Sequence, residues 1–235
     1  MLYNALITGA NGLIGREFSS FVDTKSSFLT THKNFDILDY QQMKKFVEGK
    51  KIRTIINCAA SRDAEALEDN YDDAFNIGVV GPQNLARLAN ELNARLVHIS
   101  TDYVFDGKSS IPYTESDYCA PLNTYGKTKR LGEIKIQKIC NSYLILRTSW
   151  VFGQIGRDFP STIARLSQTR KEINVIYDQV GSPTYSKDFA FYATELLSKI
   201  QDGENGIFHI SNSGSCSWYD FKFVRFVIGY YSYFE

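Results

Sequence analysis

A glycine-rich turn at the start of the chain constrains its fold more than any other feature. The segment Gly9-Ala10-Asn11-Gly12-Leu13-Ile14-Gly15 follows a short apolar run, Ala5 to Thr8, and leads into a helix-compatible segment. Glycines at this spacing permit a tight turn and a close backbone approach to a pyrophosphate, which the first N–H groups of a helix then stabilise. An ordinary strand-to-helix turn also accepts glycine, so the motif alone leaves two interpretations open. Its position at the first such turn favours dinucleotide binding, with contacts from Gly9, Gly12, Leu13, Ile14 and Gly15.

Apolar runs suited to buried strands alternate along the chain with helical patterns. Strands are predicted at Ala5 to Thr8, Thr54 to Ala59, Leu96 to Ser100 and Tyr143 to Thr148. Apolar residues recur at helical spacing between Phe75 and Leu92 and between Leu131 and Ile139. Because strands that alternate with helices of this length require right-handed crossovers, the sequence predicts an α/β fold with a Rossmann-type doubly wound parallel sheet. We expect an NAD(P)-binding domain over residues 1–150, to which the chain returns at about residues 175–190.

The pattern loosens after about residue 150 and predicts a smaller, incomplete α/β lobe over residues 151–235 that would bind the substrate. Helices are predicted there at Phe159 to Gln168 and Asp188 to Ile200, and short strands at Ile173 to Tyr177 and Gly206 to Ile210. The Ser-x-x-Asp spacing that begins at Ser217 predicts a further helix start.

Composition argues against several functional classes. The 26 Lys and Arg residues balance 26 Asp and Glu residues, so nothing favours an extended basic surface for nucleic acid or an acidic membrane. No secretory leader precedes the first apolar run, and no run reaches the roughly 18 apolar residues of a membrane span. The four cysteines are widely spaced, which predicts reduced thiols, no metal site and a cytoplasmic location. Small molecules are the expected partners, and a homodimer is left open.

The segment about 20 residues past the glycines predicts which dinucleotide is bound. An acidic side chain in this region would hold the 2′-hydroxyl of NAD. The chain instead has Thr31, His32 and Lys33 here, with no carboxylate before Asp36. Since Lys33 would pair with a 2′-phosphate and a carboxylate would repel it, the sequence favours NADPH, with NADH as the alternative. We therefore add Thr31 and Lys33 to the predicted cofactor contacts.

A threonine, a tyrosine and a lysine occur in the order that a carbonyl reductase needs. Tyr125 and Lys129 lie four residues apart at the start of a predicted helix, so they share one face. A nearby ammonium and the positive charge of an oxidised nicotinamide would both lower the pKa of the phenol from about 10. Thr101, at the end of the preceding predicted strand, would hydrogen-bond a substrate carbonyl oxygen. Tyr40 and Lys44 repeat the spacing with no such strand end before them, and that pair is predicted to lie on a surface helix.

Five segments form a combination more specific than any single motif: Gly9 to Gly15, Ser100 to Gly107, Pro121 to Glu133, Arg147 to Phe152 and Asp178 to Thr184. Together they resemble the dTDP-4-dehydrorhamnose reductases, which are extended members of the short-chain dehydrogenase/reductase superfamily. The resemblance runs from residue 1 to about Tyr219. It implies reduction of the C4 ketone of dTDP-4-dehydro-6-deoxy-L-mannose to dTDP-L-rhamnose, a donor for cell-surface polysaccharides.

The resemblance also implies roles for individual residues. Tyr125 would give the proton, while Lys129 would bind the nicotinamide ribose and lower the pKa of the tyrosine. The cofactor would be contacted by Gly12, Leu13 and Ile14 at its pyrophosphate, by Asp36 and Ile37 at its adenine, and by Ala59, Ala60 and Ser61 at its middle. The sugar would be contacted by Thr101, Asp102 and Trp150.

The remaining features lead to more modest expectations. His98 and His209 fall within strand patterns and are predicted to be packed core histidines. The family continues for several dozen residues past the aromatic-rich segment 222–235, which we interpret as a truncated or frame-shifted end. We therefore expect cofactor binding to be retained and reductase activity to be weak or absent.

Two alternatives to this reductase are kept. One is a related nucleotide-sugar reductase or epimerase, and the other is a non-catalytic NADP-binding regulatory homologue. The shortened second lobe favours the regulator. The intact set of Thr101, Tyr125 and Lys129 counts against it.

Overall fold

A six-stranded parallel sheet forms the centre of the chain in a computed structural model, which describes residues 1–61, 66–201 and 203–222. The strands are β1 (Ala5–Thr8), β2 (Phe28–Leu29), β3 (Thr54–Asn57), β4 (Arg95–Thr101), β5 (Tyr143–Thr148), β6 (Val151–Phe152), β7 (Val180–Gly181), β8 (Thr184–Tyr185), β9 (Gly206–His209) and β10 (Cys216–Ser217). The order in the main sheet is β2-β1-β3-β4-β5-β9, with every neighbouring pair parallel. Because β2 and β3 flank β1, the strand order reverses there, and sheets of this kind bind ligands beyond the carboxyl ends at that point. The predicted doubly wound fold is confirmed.

Helices cover both faces of this sheet. They are α1 (Leu13–Glu17), α2 (Tyr40–Val47), α3 (Ala66–Asp69), α4 (Tyr71–Phe75), α5 (Gly81–Leu92), α6 (Thr124–Ile139), α7 (Phe159–Leu166), α8 (Ser186–Lys199) and α9 (Trp218–Phe221). A π-helical turn, Asn76–Val80, joins α4 to α5. None of the helices formed by the described residues is long and apolar enough to cross a membrane.

Both faces of the sheet are apolar because successive strand residues point to opposite sides. Leu6 and Leu96 belong to one core with residues of α2, α5 and α6. Ile7 and Val97 belong to a second core, with residues of α8 on the other face. A strand buried on both sides must be apolar throughout, which is why these runs were recognisable in the sequence.

Most predicted elements are confirmed, with differences at their ends. The strands at 5–8 and 143–148 have the predicted bounds, whereas β3 ends at Asn57, two residues early. The strand predicted at Ile173 to Tyr177 is wrong. Its side chains are largely exposed, Tyr177 at 76%, and it pairs with no strand among the described residues, so its apolar alternation has no sheet to pack on. Residues 223–235 lie outside the described residues, so the expectation about the aromatic-rich end stays a prediction.

The second lobe consists of two small strand pairs and an aromatic cluster. The pairs are β6 with β8 and β7 with β10. The predicted cap at Ser217 is confirmed, since its hydroxyl accepts the Asp220 N–H and the Asp220 carboxylate accepts the Ser217 N–H. Both α8 and β9 pack with the main sheet, and the domain boundary near residue 150 stays a prediction.

A buried carboxylate fastens α6 to the sheet. Glu133 is fully buried and accepts hydrogen bonds from Ser100 Oγ at 2.6 Å, Arg147 Nε at 2.9 Å and Arg147 Nη2 at 2.8 Å. Arg130 adds a further ion pair at 2.8 Å. Burial alone would raise the pKa of the Glu133 carboxyl, but Arg147, Ser100 and Arg130 together hold it below its ordinary value. The middle of α6 is therefore tied to both β4 and β5.

Replacing Glu133 with Gln is expected to destabilise the protein by about 3 to 5 kcal/mol, because the Arg147 guanidinium would stay buried without its counter-charge. Urea unfolding measures this change. Glu195→Gln is the matched control, since Glu195 pairs with Lys199 at 3.9 Å on the exposed side of α8 and its loss should leave the unfolding midpoint almost unchanged. Equal midpoints for the two variants would contradict the role given to Glu133.

Candidate active site

The glycine turn connects β1 to α1 and lies against the end of β3. Gly9 has φ +63°, and a Cβ at this position would lie 2.8 Å from the Ala59 nitrogen. A Cβ at Gly15 would overlap the carbonyl oxygen of Gly9, so both positions need glycine. No side chain caps α1 after Gly12, which leaves its first N–H groups available to an anion. These features fit the pyrophosphate of a dinucleotide.

The end of β2 is tied to the same turn. The Thr30 carbonyl accepts the Ala10 N–H at 2.8 Å, so the segment from Thr31 to Lys33 begins beside the glycines. Lys33 is exposed, as a contact to a 2′-phosphate requires. Asp36 accepts the Leu38 N–H at 2.9 Å and lies 3.6 Å from His32. Ile37 is buried in the core, and its implied contact with adenine stays a prediction.

One cleft brings the predicted middle of the cofactor site together with the catalytic pair. Its lining includes Ala59, Ala60, Ser61, Tyr125 and Lys129. The first three follow the end of β3, and the other two lie in the first turns of α6. Segments that are more than 60 residues apart in sequence therefore face one another at the carboxyl edge of the sheet.

Local packing fixes the phenol of Tyr125 beside the end of β4. Asn123 caps α6 by accepting the Gly126 N–H at 2.8 Å. A Cβ at Gly126 would overlap the Tyr103 carbonyl oxygen, so glycine allows the first turn of α6 to approach the segment after β4. Thr101, the last residue of β4, hydrogen-bonds the phenol. The predicted pairing of Thr101 with Tyr125 is thus present in the structure.

The surroundings make Tyr125 a weak acid. Burial raises its pKa to about 12, the Asp102 carboxylate adds to this rise, and the hydrogen bond between Thr101 and the phenol opposes it. Lys129 is not one of the groups among the described residues that shift this pKa, and the expectation that it lowers the pKa of Tyr125 stays a prediction. The Lys129 Nζ is directed instead to the Ile99 carbonyl oxygen, at 2.5 Å, and to His98. The phenol is consequently protonated at neutral pH.

Asp102 is a buried carboxyl next to this phenol. Burial raises its pKa to about 6, although hydrogen bonds from Thr101 and from backbone N–H groups act in the opposite direction. The Thr101 hydroxyl donates to Asp102 Oδ1 at 3.1 Å, and the Tyr103 N–H donates to the same hydroxyl at 3.2 Å. Asp102 therefore changes charge near neutral pH and makes Tyr125 a weaker acid when ionised.

Lys129 is buried in contact with a histidine that the sequence did not connect to the site. Burial lowers the pKa of Lys129 to about 8, while Glu133 and Cys58 act to raise it. His98 is buried as predicted, with its Nε2 lying 3.2 Å from Lys129 Nζ. The one available signal was a polar residue inside an apolar strand, because a buried polar group needs a partner. His209 is half-buried in the edge strand β9 and packs against the Phe105 ring with centroids 5.7 Å apart, so it is packed as predicted but does not lie in the core.

Trp150 lies in the second lobe and is half-buried. Its indole stacks on Trp218 with ring centroids 3.7 Å apart, and a Cβ at Gly181 would lie 2.5 Å from Cε2 of the ring. Its backbone has φ +47°, an unusual conformation for a non-glycine residue. The sugar contact of Trp150 stays a prediction.

The second tyrosine–lysine pair is structural. The Tyr40 hydroxyl donates to Glu91 at 2.7 Å, and Lys44 pairs with the same carboxylate at 3.3 Å. Both contacts join α2 to α5 at the surface, which confirms the prediction for this pair.

The cysteines and acidic residues have no metal-binding arrangement in the described part of the chain. Within residues 1–61, 66–201 and 203–222, no group of three or more His, Cys, Asp or Glu side chains is placed to hold a metal ion. All four cysteines carry free thiols, as predicted.

Comparison with known proteins gives a consistent result over nearly the whole chain. The family model described as the RmlD substrate binding domain matches residues 3–227. The spore coat polysaccharide biosynthesis protein SpsK of Bacillus subtilis is 38% identical over 218 residues, which are 92% of this chain and 76% of SpsK. A dTDP-4-dehydrorhamnose reductase of Aggregatibacter actinomycetemcomitans is 37% identical over 94% of this chain and 77% of its own length.

Solved structures show the same likeness. The dTDP-4-dehydrorhamnose reductase of Bacillus anthracis in complex with NADP superposes with a TM-score of 0.87 at 36% identity, covering 94% of this chain and 79% of that one. The ortholog from Clostridium acetobutylicum gives a TM-score of 0.86 at 40% identity, covering 93% and 77% of the two chains.

Asp102→Asn is expected to gain stability relative to the unaltered protein as pH rises from 4 to 8. The folded pKa of about 6 lies above the ordinary aspartate value of 3.8, so the stability linked to protonated Asp102 is fully present at low pH and is lost as pH rises through 6. A shift of this size corresponds to about 3 kcal/mol. Urea unfolding at each pH measures the difference between the two proteins.

Asp106→Asn is the control for this pH series. The hydrogen bond from Tyr113 lowers the pKa of the Asp106 carboxyl, so its contribution to stability changes only below the ordinary aspartate range, and the difference between Asp106→Asn and the unaltered protein should stay nearly constant from pH 4 to pH 8. A stability difference for Asp102→Asn that stays constant from pH 4 to pH 8 would contradict the buried, titrating carboxyl.

Proposed function

Because the chain belongs to the dTDP-4-dehydrorhamnose reductase family, we propose that it reduces the C4 ketone of dTDP-4-dehydrorhamnose with NADPH to form dTDP-L-rhamnose. The observation that carries this proposal is the meeting of three groups at one cleft. Tyr125 and Lys129 line the cleft, and Thr101 hydrogen-bonds the phenol. A non-catalytic regulator has no chemical need for a tyrosine, a lysine and a threonine at this cleft. The presence of Tyr125, Lys129 and Thr101 together therefore counts against that alternative.

Reduction of a ketone requires a hydride at carbon and a proton at oxygen. When bound, the reduced nicotinamide supplies the hydride. The Thr101 hydroxyl orients the carbonyl oxygen, and Tyr125, protonated at neutral pH, donates its proton to the oxygen as negative charge develops there. An alkoxide is more basic than a phenolate, so even a phenol of raised pKa gives up its proton to it. Lys129, on the same face of α6, would contact the ribose.

The cofactor contacts predicted from the sequence are proposed unchanged. The glycines of the turn would receive the pyrophosphate, because their backbone is bare where a Cβ would collide. Thr31 and Lys33 would face the 2′-phosphate, which favours NADPH over NADH. The remaining contacts would come from Leu13, Ile14, Asp36, Ile37, Ala59, Ala60 and Ser61.

The substrate contacts and the cellular setting are also proposed. Thr101 and Asp102 would hold the sugar beside the nicotinamide, and Trp150 would contact it from the second lobe. A nucleotide sugar and NADPH are both cytoplasmic metabolites, which supports a cytoplasmic location. A homodimer and the absence of nucleic-acid binding stay predictions.

Tyr125→Phe is expected to lower kcat/KM for the dTDP-sugar by at least about 100-fold, since the proton donor is lost while the ring still packs on Tyr103. The fall in absorbance as NADPH is oxidised measures the rate. Tyr40→Phe removes a hydroxyl from the same sequence spacing and should leave kcat/KM unchanged, because the Tyr40 hydroxyl donates to Glu91 at the surface, between α2 and α5. Equal rates for Tyr125→Phe and the unaltered protein would contradict the assignment of Tyr125 as the proton donor.

Lys33→Ala is expected to weaken NADPH binding about tenfold and to leave NADH binding unchanged, because one charged hydrogen bond to the 2′-phosphate is lost. Fluorescence titration with each dinucleotide gives the two dissociation constants. Lys45→Ala, on the exposed face of α2, controls for the general loss of a positive charge. A parallel loss of affinity for both dinucleotides would rule out phosphate recognition by Lys33.

A further inference from the structure

A line of four buried polar side chains crosses the sheet and ends at Lys129. Thr8 Oγ1 lies 2.8 Å from Asn57 Oδ1, Asn57 Nδ2 lies 3.0 Å from His98 Nδ1, and His98 Nε2 lies 3.2 Å from Lys129 Nζ. Each of the four residues is at most 5% exposed. They come from β1, β3, β4 and α6. The reductase mechanism uses only the last of them.

The orientation of the Asn57 amide fixes which nitrogen of His98 carries the proton. Asn57 Oδ1 accepts from the Thr8 hydroxyl and from the Ala59 N–H at 3.2 Å, so Nδ2 must donate to His98 Nδ1. The imidazole proton is then on Nε2, which faces Lys129. An ammonium group has three donors and no acceptor, so it could not accept a hydrogen bond from His98 Nε2–H. This arrangement therefore fits an uncharged amine at Lys129.

A charged Lys129 requires the donor and acceptor roles along these hydrogen bonds to be exchanged. His98 Nε2 would then accept from the ammonium, Nδ1 would carry the proton, and the Asn57 amide would turn its oxygen towards Nδ1 and its nitrogen towards Thr8. Thr8 Oγ1 can accept in this arrangement, and the Ala59 N–H, 3.3 Å from it, keeps an acceptor in both. The Ile99 carbonyl oxygen also accepts from Lys129 in either charge state. Both directions therefore satisfy this line of buried groups.

We propose that His98 is a positioning residue for Lys129, and that the line from Thr8 through Asn57 and His98 reverses its hydrogen-bond direction when Lys129 changes charge. The inference rests on the proposed function only in taking Lys129 as a cofactor contact. By accepting from the ammonium or donating to the amine, His98 keeps Nζ in one place. The reversal also changes the partner of the Ala59 N–H, at the predicted middle of the cofactor site.

The groups that face Lys129 place this change of charge near neutral pH. Burial lowers the pKa of Lys129 to about 8, opposed by Glu133 from α6 and Cys58 after β3. Burial raises the pKa of the Cys58 thiol, which keeps it uncharged. Burial, and then the charge of Lys129, lower the pKa of His98 well below its usual range, so this ring stays neutral and only its tautomer is free to change.

Nitrogen NMR of the full chain, with its histidine rings isotopically labelled, tests the reversal of hydrogen-bond direction directly and needs no substrate. We expect His98 to change from the Nδ1–H to the Nε2–H tautomer as pH rises, with a midpoint near 8. In Lys129→Met the change should vanish. A single His98 tautomer from pH 6 to pH 10 in the unaltered protein, or the same change in Lys129→Met, would overturn the proposal. Failure of the reductase function would instead appear as an absence of NADPH oxidation with the tautomer change intact.

Substitution of His98 separates positioning from packing. His98→Phe fills the space without a partner for Lys129, and we expect about a tenfold weaker affinity for NADPH together with a lower apparent pKa in its pH dependence. His98→Gln restores a group that can accept or donate, and should recover most of both quantities. His209→Phe, in the edge strand β9 on the far side of β5, is the matched control and should change neither. A His98→Phe protein whose affinity and pH profile equal those of His209→Phe would overturn the proposal, as would a His98→Gln protein no better than His98→Phe.

Discussion

The buried attachment of α6 to the sheet through Glu133 is the interaction on which the site depends. Glu133 binds Ser100 at the end of β4 and Arg147 in β5. Lys129 precedes it by about one turn and Tyr125 by about two. Because a helix rises about 1.5 Å per residue as a rigid rod, a fixed Glu133 sets the position of the phenol about 12 Å away. An ion pair remote from the cleft thus places the proton donor next to Thr101.

Burial determines the acid–base properties of the cleft more than any pairing does. It raises the pKa of Tyr125 to about 12 and that of Asp102 to about 6, and it lowers that of Lys129 to about 8. Each group is therefore favoured in its uncharged form. A protonated phenol suits a reductase, because the reaction consumes a proton at the carbonyl oxygen. Two of the three groups also titrate close to neutral pH, so the electrostatics of the cleft respond to modest pH changes.

The sequence predicts those parts of the structure that local physics dictates. Strands buried on both faces must be apolar, so the central strands were recognisable, and the glycines of the turn are required because a Cβ at Gly9 or Gly15 would collide with backbone. The order of Thr101, Tyr125 and Lys129 was sufficient to predict that they belong to one site. The strand predicted at 173–177 was wrong because alternation of apolar residues indicates a strand only when a neighbouring strand and a core are present.

Features that depend on distant contacts were not predictable. Lys129 points to Ile99 and His98 because of how α6 crosses β4, and nothing within four residues of Lys129 encodes this. The positive φ of Trp150 accompanies contacts with Gly181 and Trp218, which are 31 and 68 residues further along the chain. Asn57 and His98 were polar residues in apolar strands, and their shared line of hydrogen bonds became visible only once β3 and β4 were paired.

Transfer of the cofactor hydride to the sugar is the central claim, and isotope tracing tests it most directly. The full chain would be incubated with dTDP-4-dehydrorhamnose and NADPH that carries deuterium at nicotinamide C4 on the transferred face, and the sugar product analysed by mass spectrometry and proton NMR. The account predicts dTDP-L-rhamnose with deuterium at C4 of the sugar. A reduced sugar without deuterium at C4 would contradict it, as would ketone left wholly unreduced with the enzyme in excess over the substrate, a condition under which weak activity still gives product.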